Sequence, residues 1–503
     1  MAKRPIVLAT LLVVMASAVV TVLSVPSQAA STTVTMRGNK YNPSEVHIDP
    51  GDTVIWNNQD SRVHTVNADD GSFRSGDIRP GGSFSHQFDD EGYYYFYCKY
   101  HGGRGGVGMS GVVIVGNPPP PKDDGGAKDD RDILVVPNEF PTIQKAVDAA
   151  HPGAVVKIQP GTYHEAVTVK TPRLTIKGVD RYRTVLNGHD KMGNGFLVDH
   201  VNNVRISNLT VRNYKANGVF FHGVNGYKAD HVDAIKDRTY GIYAFDSYNG
   251  IFTHDFAWGS GDGGFYIGEC LGCGGLIEHS VSKFNYIGYS GTNATGVVIR
   301  RSIFKHNGAG IVPNTLPTEE LAPNRGTFIY RNLVAKNNYK TVPASGFSET
   351  VSLPFGTGVW LAGTMNNRVE HNVIRDNNTF GVLVTESIDA SSIPRNNEVV
   401  DNRIRNSDAD NDGFGWDLAW TGEGENNCFA NNAFKGSSGP PEIETLYACA
   451  NRPFVGVPYP PVQAYVVASL CCPQTREQKE PPEPKRPDCQ RGAPGCHRHR
   501  RHG

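Results

Sequence analysis

Two imidazoles, one thiol and one thioether occur in an order that can hold a soft metal ion. His64 stands in Trp56-Asn57-Asn58-Gln59-Asp60-Ser61-Arg62-Val63-His64-Thr65-Val66. Cys98 and His101 share the run Tyr97-Cys98-Lys99-Tyr100-His101, and Met109 follows a glycine-rich interval, 102–108. Two imidazoles and a thiolate in a trigonal plane, with a weak, long axial thioether, make a type 1 copper site. Singly these residues read otherwise, since a lone cysteine is commonly a small core hydrophobe. The order His…Cys-x2-His…Met points to His64, Cys98, His101 and Met109 as ligands of one copper ion. Such a site lacks an open coordination position, so it shuttles electrons or carries copper and performs no catalysis of its own. His101, on the loop, is the expected exit for the electron. His86, mid-strand in Ser85-His86-Gln87-Phe88, reads as an ordinary histidine.

Placing these four side chains requires a small sandwich. Residues 31–116 contain short alternating runs broken by turns: Val34-Met36, Glu45-Ile48, Thr53-Trp56, Ser83-Phe88, Tyr93-Tyr97 and Val112-Val115. That period and spacing predict a β-sandwich. With its flanks Trp56-Asn57, His64-Thr65-Val66 and Gly108-Met109-Ser110-Gly111, the segment resembles the plastocyanin/azurin family, the cupredoxins. The resemblance implies the same four copper ligands and a redox role. The interval from His101 to Met109 is longer than in plastocyanin, and a weak axial bond tolerates that slack.

The chain begins as an exported protein would. Lys3 and Arg4 precede the apolar stretch Ile6 to Val25, and Ser27-Gln28-Ala29 fits a small-x-small cleavage site. Residues 1–30 are therefore expected to be a signal peptide and the product secreted or periplasmic. An uncleaved membrane anchor is the alternative. Of nine cysteines, all but Cys98 lie beyond residue 260. In an oxidising compartment they can pair among themselves, with Cys270–Cys273 and Cys428–Cys449 the expected pairs. Cys98 stays single, as a copper ligand must.

After a Pro/Gly/Asp linker, 117–130, the region 131–450 repeats. Segments such as Glu278-His279-Ser280-Val281, Tyr330-Arg331-Asn332-Leu333, Glu370-His371-Asn372-Val373 and Ile206-Ser207-Asn208-Leu209 put a small polar residue before an apolar one. Asn213, Asn285, Asn307, Asn337 and Asn377 recur five residues later. Then comes a Gly-apolar step: Gly218-Val219, Gly241-Ile242, Gly264-Phe265, Gly310-Ile311, Gly358-Val359, Gly381-Val382. A period in the twenties without helical patterning predicts an all-β parallel β-helix, its asparagines stacked in ladders. One amphipathic helix, Pro141 to Ala150, is expected to cap its open end. The region resembles the right-handed β-helices of the pectin-lyase-like class, including NosD-like copper-processing periplasmic repeats and carbohydrate-binding members. Residues 451–503, rich in Pro and then in Arg and His, read mostly as a basic tail tethered by cysteines.

In this alignment the residues after the inward ones point outward, giving a stripe of Phe220, Tyr243, Tyr266 and Trp360 that would stack sugar rings. Tyr243, Asp246, Asp262, Glu269 and His222 near it are the residue types that remove a proton beside a uronate. The alternatives to a redox protein are accordingly a polysaccharide lyase or epimerase with an accessory copper domain, and a structural or adhesive surface protein. The expected partners are a redox protein or copper-dependent enzyme and, for the β-helix, a polysaccharide. A net charge of -1 gives no basic footprint, which argues against nucleic acid.

Overall fold

Alternation along the first strands decides the first unit. The computed structural model describes residues 30–68, 71–103, 107–116, 133–339, 353–407, 414–451 and 454–471. Nearly all of the leader, the whole linker and most of the tail lie outside the described residues. The chain divides into two units, Met1–Ala127 and Lys128–Gly503. In the first, strands β1 (Ser31–Arg37), β2 (Lys40–Asn42), β3 (Glu45–Ile48), β4 (Asp52–Asn58), β5 (Asn67–Ala68), β6 (Ser83–Phe88), β7 (Gly92–Gly103) and β8 (Val107–Val115) form two sheets. Their orders are β2-β1-β4-β6 and β3-β8-β7-β5. Within them β1 runs parallel to β4 and β3 parallel to β8. Every second residue faces inward, so Val34, Met36, Val54 and Trp56 meet Phe96, Val113 and Val115, all fully buried.

In the second unit each strand pairs in parallel with its equivalent one coil later, which makes the region a parallel β-helix. One face is an eleven-stranded sheet running from Val167–Val169 to Ser438–Gly439. Val219, Ile242, Phe265, Tyr289, Ile311, Val359, Val382 and Leu418 follow one another in register, and all are fully buried. The glycine before each inward residue marks a close approach between coils. A Cβ at Gly241 would fall 2.7 Å from the Gly264 carbonyl oxygen.

The stacked asparagines carry the turns. One buried ladder runs Asp255, Ser280, Ser302, Asn332, Asn372, Asn402, Asn432, each side-chain oxygen accepting the preceding rung's backbone N–H. A second runs Asn285, Asn307, Asn337, Asn377. A third, which the repeat reading missed, runs Asn367, Asn397, Asn427. Asn208 is not a rung. It takes the left-handed turn position of His231, and Leu209 aligns with Val232, so that first repeat was one residue out of register.

Both ends of the stack are covered. Helix α1 (Ile143–Ala149) has Thr142 as its N-cap, and Glu165 accepts from the N–H groups of Ile143 and Gln144 at 3.0 Å each. At the far end Glu444, in α2 (Ile443–Leu446), accepts from Asn432. Residues 460–471 are not tail. They form α3 (Pro460–Cys471), whose Val462 and Val466 are buried against Trp360, Phe380, Leu383 and Ala419 of the eleven-stranded sheet. An outward apolar stripe that long needs a cover, and this helix supplies it. Disulfides join Cys270 to Cys273 and Cys428 to Cys449, and Cys98 is free and buried. Among the described residues no helix is long and apolar enough to cross a membrane.

Candidate metal centre

The ladder between β7 and β8 loses register between Tyr97 and Gly102, so Cys98 to His101 leave the regular pairing. This bulge turns Cys98 inward and lets His101 double back over it. His64 comes from the segment after β4, held by an isolated bridge to Ile78. The Cys98 Sγ lies 3.7 Å from the His64 Nδ1 and 3.5 Å from the His101 Nδ1. The two imidazoles sit with centroids 4.8 Å apart. Cys98 and His64 are fully buried and His101 is half-buried. Met109 is 2 % exposed and packs in the same core cluster as Cys98.

These spacings fit a metal ion. Metal–sulfur and metal–nitrogen bonds of about 2.3 and 2.0 Å, set about 120° apart, hold sulfur and nitrogen about 3.7 Å apart. The donors are therefore pre-arranged. The surroundings fix them further. Asp60 Oδ2 lies 3.2 Å from the outer nitrogen of His64. The Asn39 N–H and then His64 hold the Asp60 carboxyl down at about 2, so it stays ionised. Burial and then the neighbouring His64 pull His101 below the usual histidine range, favouring the neutral ring a metal needs. Thr65 ties the two segments together: its N–H points at Cys98 Sγ at 3.4 Å, and its hydroxyl accepts from the Lys99 N–H at 2.9 Å.

The β-helix candidates separate into three groups. Phe220 and Tyr243 stack with centroids 4.4 Å apart and are half-buried, forming an accessible aromatic floor. Tyr266 continues the floor in register but is 3 % exposed. Trp360 is fully buried and donates its indole N–H to Thr385, so the expectation that it stacks a sugar is wrong. Its sequence position is outward, but α3 and its neighbours cover that part of the sheet.

Over Tyr243 stands an acidic group. Asn293 Nδ2 donates to Glu269 at 3.1 Å and to Glu319 at 3.3 Å, and Leu321 N–H donates to Glu269 at 2.7 Å. Burial first, and then the Glu269 carboxylate, push Glu319 up to about 7. Burial pushes Asp262, beside Tyr240, up to about 7 as well. Burial and the charges of Glu319, Asp262 and Glu269 keep the Tyr243 phenol neutral. Glu319 escaped the sequence reading because it lies in an inserted loop outside the repeat. Asp246 occupies the same turn one coil before Glu269 and accepts from the Tyr248 hydroxyl at 3.1 Å. His222 turns to Asp199 instead, at 2.8 Å.

Residues 6–115 match the family model of a cupredoxin-like domain. Among solved structures, a purple cupredoxin from Nitrosopumilus maritimus is 28% identical over 17% of this chain and 98% of its own, with a TM-score of 0.15. A reduced amicyanin variant is 25% identical over 17% of this chain and 82% of its own, with a TM-score of 0.16. The A-module of mannuronan C-5 epimerase AlgE4 from Azotobacter vinelandii is 17% identical over 58% of this chain and 90% of its own, with a TM-score of 0.44. No curated protein matches the chain by sequence.

Proposed function

We propose that the cupredoxin-like domain holds one copper ion through His64, Cys98, His101 and Met109 and works in electron transfer or copper handling in an exported protein. The observation that carries this reading is the position of the Cys98 thiol, 3.5 and 3.7 Å from two imidazole nitrogens. Copper held so would cycle between Cu(I) and Cu(II) with little rearrangement. The chain's own groups do the rest. The Thr65 N–H steadies the thiolate, Asp60 orients His64, and the half-buried His101 edge gives a redox partner its approach. The exposed Tyr100 beside it, hydrogen-bonded to Asp77 at 2.9 Å, belongs to the same approach surface. The test is the visible spectrum of the copper-loaded chain. An intense thiolate-to-copper band is expected, lost in Cys98→Ser; a colourless complex sinks the reading.

A second reading concerns the β-helix. Glu269 and Glu319 share one amide next to Tyr243, on a face with an accessible aromatic floor. The Glu319 carboxyl, raised by burial and by its neighbour, can hold a proton near neutral pH and give it up. We infer that this face binds an acidic polysaccharide and is equipped to move a proton on it. Release of unsaturated ends, or solvent-hydrogen exchange into a uronate polymer, is expected and should vanish in Glu319→Gln. Binding without either reaction would leave a glycan-binding surface only.

A further inference from the structure

Outside the sandwich, two more groups of His and Asp converge among the described residues: Asp199, His200 and His222, and Asp230, His231 and His254. In each, the potential ligand atoms lie within 4.8 Å of one another. They differ in what surrounds the carboxylate. Asp230 is paired with Arg205, and Lys228 Nζ stands 3.4 Å away, so fixed cations already occupy it. The ion-pair partners of Asp199 among the described residues are imidazoles alone: His200 Nδ1 at 2.9 Å and His222 Nδ1 at 2.8 Å.

Geometry favours the Asp199 group further. Asp199 and His222 are register partners on adjacent coils, so the backbone ladder fixes their separation. His200 follows Asp199 in a left-handed turn, at φ +53°, and swings back over Gly223. A Cβ at Gly223 would fall 2.6 Å from the His200 ring, so that glycine makes the ring's seat. One carboxylate oxygen now bridges both nitrogens. In a tetrahedral site with bonds of about 2.0 Å, neighbouring ligand atoms stand about 3.3 Å apart, so opening by roughly half an ångström admits an ion. The side chains are 45, 64 and 36 % exposed for Asp199, His200 and His222, which leaves room for solvent in the remaining position.

We propose that Asp199, His200 and His222 bind a borderline divalent transition ion of the Zn(II) type. Two neutral imidazoles and one carboxylate suit such an ion better than Ca(II) or Mg(II), which want oxygen. The open position lies beside the aromatic floor, since the His222 ring stacks on Phe220 at 5.5 Å. An anionic group of a bound polymer would find the ion there.

The experiment is equilibrium dialysis of the full-length chain against Zn(II), with Co(II) as the spectroscopic probe. A variant with His64→Ala, Cys98→Ser and His101→Ala removes the imidazole and thiol donors of the sandwich, and one with His497→Ala, His499→Ala and His502→Ala removes the imidazoles of the basic tail. In the combined background one equivalent of Zn(II) is expected to remain. It should disappear when His200→Ala and His222→Ala are added, and Asp199→Asn should weaken it roughly tenfold or more. Co(II) in the same background should give the d–d bands of a low-coordinate site. No bound equivalent in that background, or one indifferent to His200 and His222, overturns the proposal. The donors are solvent-exposed, so an unchanged melting temperature will separate lost binding from lost folding.

Discussion

The sandwich and the β-helix gather chemistry in opposite ways. In the sandwich, one bulged strand supplies Cys98 and His101 within four residues, and a distant segment supplies His64. In the β-helix, neighbouring side chains come from neighbouring coils: Asp199 beside His222, Phe220 beside Tyr243, Glu269 beside Asn293. A bulge concentrates function in a short run of chain. A solenoid spreads it at the interval of one coil. The first arrangement should fail at a single residue while its scaffold survives, and the second should fail through its scaffold.

The sharpest way to break that contrast is to remove a rung. Asn372 accepts from the Asn332 N–H at 2.9 Å and its amide donates to Ile329 and Asn402 at 2.9 and 3.0 Å. Asn372→Ala leaves several buried polar groups unpaired, so a loss of roughly 5 kcal/mol is expected from the β-helix in denaturant melts. The visible copper band should be unaffected. If the band went with it, the two regions would not be independent in the sense argued.

A smaller effect tests burial of acid in the coils. Asp262 is raised from 3.8 to about 7, so the folded chain holds a proton that the unfolded chain has released. Stability is then greatest below about pH 4 on this account and falls as pH rises towards 7, by about 3 kcal/mol. Asp262→Asn should flatten that slope in melting curves across the same window. A wild-type β-helix with no such slope would mean that the carboxyl is hydrated.

The smallest effect is expected at the surface of the copper domain. Lys99 Nζ lies 2.7 Å from Asp77, and both side chains are about half exposed. Lys99→Ala should leave the melting temperature nearly unchanged, because solvent screens so exposed a pair. Its effect should show in the salt dependence of electron transfer to a partner, because an exposed charge beside the His101 edge steers encounter. A large loss of stability would show that the bulge depends on this pair.

The same contrast explains what the sequence made legible. Cys98 and His101 are adjacent enough to read as one motif, and the Gly-apolar steps repeat often enough to fix register from Gly218 to Gly381. The ladder of Asn367, Asn397 and Asn427 was equally readable, since its 30-residue interval matches that of Asn372 and Asn402. It lies on a third turn of each coil, away from the two turns that the other asparagine series mark. Trp360 and Glu319 were out of reach for a different reason. Whether an outward residue is wet depends on a helix a hundred residues downstream, and an inserted loop has no period to betray what it brings. Asn208 failed because a turn tolerates Asn both as a rung and in the left-handed position next to it.

The last rung of the long ladder ends on Glu444, and the first coil carries α1 with its own amides taken up by Glu165. A stack of identical coils has no intrinsic reason to stop, and bare terminal coils would invite a second copy to continue the spiral. With a carboxylate closing each end, the coil has a finite length set within one chain, and crowding many copies together should not draw them into fibres.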